Sequence, residues 1–183
     1  MPNSMVIDES IHPDTHHKEL KRVVAISIDT DSAEYVYDWA VNNFINPQTD
    51  LVVFLNCRIV DAPMAPYINP TGFIEEFDDK RKMKSHLLLR EYADRLKPFG
   101  IAVRAIALAG EPKTEIIRKT TELKADVLII GSRGLGKIKR TLLGSVSDYC
   151  SHNCHCTVIV VKAHPEHPEG KHEMKNIFKR HSE

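Results

Sequence analysis

Apolar and polar positions run along this chain in blocks that switch between two periods. Arg22–Ile28 is a short, β-branched apolar run that stops at Asp29. Between Ser32 and Phe44 the apolar residues Val36, Trp39, Ala40 and Phe44 fall at helical spacing. Leu51–Cys57 is a second strand-like run, and residues 61–72 read as a proline-rich loop. Phe73–Leu96 predicts a long amphipathic helix, with Leu88, Tyr92 and Leu96 stepping by four, closed by Pro98 and Gly100. Ile101–Leu108 is a third strand, and Thr114–Leu123 a helix that follows Pro112. Asp126–Ile130 is a fourth strand, a further helix opens near Ser145, and Thr157–Val161 is a fifth strand. Strands this apolar, alternating with helices, predict a parallel sheet covered on both faces, an open α/β sandwich. Ligands of such sheets bind at the carboxyl ends of the strands, where strand order reverses.

Just past the fourth strand lies Gly131-x-x-Gly134, then nine residues, then Gly144-Ser145. The span Gly131–Lys137 also spells G-x-x-x-x-G-K, most of a phosphate-binding P-loop. Ile138 stands where that motif needs a magnesium-binding hydroxyl, the loop follows the fourth strand, and Gly144 would break the helix it should enter. A second grouping fits better. Gly131 and Gly134 let backbone approach a ligand closely. Ser145-x-x-Asp148 reads as a capping box, so a helix starts at Ser145 and its first N–H groups form an anion site. The hydroxyls of Ser145 and Ser147 can add donors, and Arg133, Lys137, Lys139 and Arg140 make the intervening loop basic. The residues alone leave open the plainer reading, that the glycines only shape turns and Ser145 only caps a helix.

The glycine–serine pattern resembles the ATP-binding signature of the universal stress protein A family. "VVAISID" (23–29), "GEPKTEII" (110–117), "ADVLIIGSRG" (125–134), "LLGSVSDYC" (142–150) and "CTVIVVK" (156–162) extend the resemblance over residues 21–162. It implies a Rossmann-like fold of the adenine nucleotide alpha hydrolase-like kind, five parallel strands in the order 3-2-1-4-5 between helices. Members commonly form homodimers through the last strand, here 157–161, and divide into ATP binders, marked by the glycine signature, and non-binders. The implied ligand is ATP, with Mg²⁺ carried mainly by the phosphates. Residue by residue, Asp29 matches an acid near adenine and ribose. Ser27 and Ile28 match positions whose backbone contacts the nucleotide, although some members have a polar residue in place of Ile28. Cys57 matches an apolar residue lining the adenine pocket. Gly131 and Gly134 match ribose and phosphate contacts, and Gly144, Ser145, Val146 and Ser147 match the phosphate cradle. Arg133 lies within the signature loop.

Composition narrows the functional classes. The chain has 183 residues, 42% hydrophobic and 27% charged, with 25 Lys+Arg against 25 Asp+Glu. That balance makes no bulk electrostatic case for nucleic acid or a membrane surface. No apolar run is long enough to span a bilayer, and the acidic N-terminal stretch is no signal peptide, so the cytoplasm is the expected compartment. The reading divides the chain into a mobile tail (1–20), one universal stress protein domain (21–163) and a second tail (164–183). Of ten histidines, seven lie in the tails and read as solvated. Four cysteines make no disulfide framework. Cys150, Cys154 and Cys156 cluster with His152 and His155, but without a C-x-x-C pair, and burial explains them better than zinc. "KRKMK" (80–84) reads as a solvated helix face, and Trp39 as a core residue. Near the signature the only carboxylate is Asp148, already assigned to capping, so binding with slow or no turnover is expected. A nucleotide-independent scaffold of the same fold, or a weak ATPase, remains the alternative.

Overall fold

The computed structural model describes residues 20–59, 73–132 and 143–163. In chain order these form β1 (Arg22–Ser27), α1 (Ala33–Asn43), β2 (Asp50–Arg58), α2 (Phe73–Leu96), β3 (Ala102–Ala109), α3 (Pro112–Glu122), β4 (Val127–Gly131), α4 (Ser145–Asn153) and β5 (Thr157–Val161). The strands make one parallel sheet in the order β3-β2-β1-β4-β5. The order implied by the resemblance is thus the one found. The expected tails fall, save Leu20, outside the described residues, as does the proline-rich stretch 61–72.

Successive strand side chains point to opposite faces, so each strand feeds two cores. Val24, Ile26, Val52, Phe54 and Ile129 meet Val36, Tyr37 and Ala40 of α1 and Leu89, Tyr92 and Leu96 of α2. Ala25, Val53, Leu55, Leu128 and Ile130 meet Ile116 of α3 and Cys150 of α4 on the other face. Covering both faces is what lets strands such as "LVVFL" be continuously apolar. Trp39 packs at the border of the first core, stacked on Phe44 with ring centroids 6.4 Å apart. After α2, Gly100 reverses the chain with φ 63°, a conformation that disfavours any side chain.

Helix α3 starts two residues earlier than its apolar pattern predicts. Pro112 sits in its first turn, where a missing N–H costs nothing, and the Glu111 carboxylate caps it by accepting from Thr114 N (2.9 Å). All four cysteines are free, and among the described residues no cluster of three or more His, Cys, Asp or Glu side chains is arranged to hold a metal. No described helix is long and apolar enough to cross a membrane.

Helices α1 and α2 are tied by Glu34, which accepts from both Arg95 guanidinium nitrogens (2.7 and 3.0 Å) and from Tyr92 Oη (2.7 Å). Arg95 also lies 4.1 Å from the Tyr37 ring centroid. Burial works to raise the Glu34 pKa, but the hydrogen bonds from Arg95 and Tyr92 outweigh it and lower it from 4.5. A depressed carboxylate stabilises the fold above its unfolded pKa and ceases to as pH falls through the folded one. Acid below about pH 4.5 should therefore remove this contribution. Glu34 is partly solvated, which limits the effect to about 0.5–1 kcal/mol. Urea melts at pH 7 and pH 3.5 should show Glu34→Gln losing less stability on acidification than the parent.

Candidate functional site

Strand order reverses between β1 and β4, and their carboxyl ends open a cleft to solvent. Its floor is the β1 exit. Ser27 and Ile28 lie there nearly buried. Ile28 N donates to Leu55 O (2.9 Å), and Ile28 O accepts from Asn56 Nδ2 (2.8 Å). Asn56 is fixed in turn by Ser85 Oγ, donating to its Oδ1 at 2.6 Å. Ile28 thus uses its backbone internally and offers the cleft shape. Asp29 Oδ1 accepts from Asp31 N (3.0 Å) and Ser32 N (2.8 Å), and its carbonyl accepts from Ala33 N (2.9 Å). The acid therefore folds the turn that launches α1.

The β4 side is built from two glycines brought together. Ser132 N donates to Val161 O and Gly144 N to Ser132 O, each at 2.8 Å. The second bond clasps the two ends of the intervening loop, setting Gly144 beside Gly131 on the cleft wall. Helix α4 starts there, with Gly144 as its N-cap and no side-chain capping bond. The capping box expected from Ser145 and Asp148 does not form, because Ser145 is already the first helical residue. Ser147 Oγ donates back to Gly144 O (2.9 Å), so its proton is turned to its own helix. Ser145 is exposed and lies off the cleft wall. The anion donors at this end are accordingly the first-turn N–H groups, which no α-helix can satisfy internally.

The far end is apolar. Cys57, at the end of β2, lies 3.8 Å from Gly110 O. Burial pushes its thiol pKa up to about 12, and Glu115 and Glu111 add to the rise, so it stays protonated. Pro112 and Ile116 of α3 and Ile130 of β4 complete this wall.

Of the residues expected from sequence, Ser27, Ile28, Asp29, Cys57, Gly131, Gly144, Val146 and Ser147 line this one cleft. Arg133 and Gly134 lie outside the described residues. Pro112, Ile116, Ile130 and Ser32 line it too and were not anticipated. The "GEP" turn after β3 and the serine three residues past Asp29 were the available signals. Cys150 lies in the second core, fully buried, away from the cleft.

The model of the universal stress protein family matches residues 20–162. A universal stress protein A-like protein of Arabidopsis thaliana is 26% identical over 138 residues, covering 72% of this chain and 78% of its own. Among solved structures, the universal stress protein UspA from Lactobacillus plantarum superposes with a TM-score of 0.66 at 19% identity, over 78% of this chain and 98% of that one. A family member from Arabidopsis thaliana, solved with AMP bound, gives 0.59 at 21% identity, over 80% and 94%. A two-core, five-stranded sheet in this order, matched along nearly all its described length, places the chain in the universal stress protein family.

Proposed function

We propose that this chain is an ATP-binding universal stress protein, a nucleotide-dependent signalling module with slow or no hydrolysis. The observation that carries the reading is the clasp that sets Gly131 and Gly144 side by side where strand order reverses, against the first turn of α4. Bare backbone and helix N–H groups at one end suit phosphates, and the neutral wall of Cys57, Pro112 and Ile116 at the other suits a base. A structural relative solved with AMP supports the same reading. Mg²⁺ would be carried mainly by the phosphates, where it would neutralise their charge. Among the described cleft residues only Asp29 bears a carboxylate, and its Oδ1 already holds two N–H groups of its own turn. That is a poor water-activating base, which is why turnover is taken to be slow.

The domain spans 21–163, works in the cytoplasm, and pairs with a second copy through β5. That strand pairs only with β4 and lies at the sheet edge, its central residues half-buried. Light scattering should then give twice the mass of one chain.

The test is the nucleotide released on denaturing the purified protein, with Gly144→Val as control. Gly144 has φ −65° and ψ 150°, open to any residue, so valine fills the cleft without straining the chain. ATP affinity should fall at least about tenfold. Stability should fall by no more than a lost helix cap, about 1 kcal/mol. ATP near one per chain, absent from the variant, is the expected result. A protein that is empty and fails to bind added ATP would sink the reading.

A further inference from the structure

We propose that Ser32 contacts the ligand directly and reads a sugar hydroxyl. This rests on the nucleotide reading above. Ser32 is 3% exposed and lines the cleft. Its main chain is satisfied within the protein, N to Asp29 Oδ1 at 2.8 Å and O from Val36 N at 3.1 Å. Its hydroxyl has no hydrogen-bond partner among the described residues.

A serine before a helix ordinarily accepts from the first-turn N–H groups, which requires an extended backbone. Ser32 has φ −112° and ψ −15° and makes no such bond. Helix capping therefore does not account for it. The hydroxyl faces the cleft instead of a protein acceptor or donor, so its hydrogen bonds are open to a bound ligand.

Position decides which part of the ligand meets it. The carboxyl ends of β2, β1 and β4 stand side by side in that order, presenting Cys57, the Asp29–Ser32 turn and Gly131. With the base against Cys57 and the phosphates at α4, the sugar lies over the middle of this row. Ser32 Oγ is 3.1 Å from where a Cβ on Gly131 would stand, so glycine is what leaves the hydroxyl open to the cleft. A hydroxyl can both donate to and accept from a ribose hydroxyl.

Binding of ATP, 2′-deoxyATP and 3′-deoxyATP to the full chain, by calorimetry, tests this in the parent and in Ser32→Ala. The parent should prefer ATP over one deoxy analogue by about three- to tenfold, the worth of one neutral hydrogen bond. Ser32→Ala should erase that ratio while melting no lower than the parent. A ratio unchanged in Ser32→Ala, or absent from the parent, overturns the assignment while leaving nucleotide binding intact. Failure of the parent to bind any of the three overturns the nucleotide reading and this inference with it.

Discussion

Asp50→Ala is expected to remove about 2–4 kcal/mol of folding stability, because it deletes a buried carboxylate that accepts several hydrogen bonds, while its partner Arg22 stays partly solvated. The Asp50 side chain is fully buried at the start of β2. It accepts from Arg22 Nε (3.0 Å) and from a second Arg22 nitrogen (2.6 Å), from Asn46 N (2.8 Å) and from Thr49 Oγ1 (3.2 Å). Arg22 opens β1 opposite Asp50 in the parallel register, so the pair ties the two central strands at the end away from the cleft. Alanine would leave Asn46 N without its acceptor and leave the Arg22 guanidinium held, among the described residues, only by Phe44 O (3.2 Å) and by its stacking on the Phe44 ring at 4.4 Å. Asp50→Asn keeps the shape and one acceptor oxygen, so it should lose less, about 1–3 kcal/mol. Urea unfolding with unchanged slopes would measure both. A loss under 1 kcal/mol for the alanine variant would contradict the role given to the pair.

That anchor was invisible in the sequence, where Asp50 stands just before the apolar run Leu51–Cys57. Its burial comes from the register of β1 on β2, twenty-eight positions apart, which no local period reports. The strands themselves were legible because each is a short, mainly apolar run, and the first four are flanked by Gly or Asp. Most of the cleft was legible for a related reason. Ser27–Asp29 and Gly131 lie at strand ends, where sites lie in a doubly covered parallel sheet, and Gly144, Val146 and Ser147 lie at the start of the next helix. Pro112 and Ile116 escaped because they reach the cleft through the packing of α3 across the second face, which is tertiary. The capping box expected from Ser145 and Asp148 did not form because a single position decides the helix start. With Gly144 as N-cap, one serine points to solvent and the other to its own helix.

Gly131→Ala should cost about 1–3 kcal/mol and weaken nucleotide binding about tenfold, although it adds one methyl group. The constraint is room. A Cβ there would stand 2.5 Å from Tyr35 Oη and 2.7 Å from Ser32 Cβ, well inside van der Waals contact. Tyr35 Oη ends a side chain that can swing aside. Ser32 Cβ sits close on the backbone at the entry to α1, so relieving that contact moves the turn itself. The same turn carries Asp29, whose Oδ1 holds Asp31 N and Ser32 N, so a shift that makes room for the methyl also displaces the cleft floor. Stability and binding should therefore fall together, unlike Gly144→Val, where binding falls and the fold is nearly spared. In a Tyr35→Phe background, which removes the nearest atom, Gly131→Ala should cost about 0.5–1 kcal/mol less, a coupling that a double-mutant cycle reads directly. Strict additivity would mean that Tyr35 already yields without resistance. The full penalty would then rest on Ser32 and the α1 entry, the element that shapes both the first core and the site.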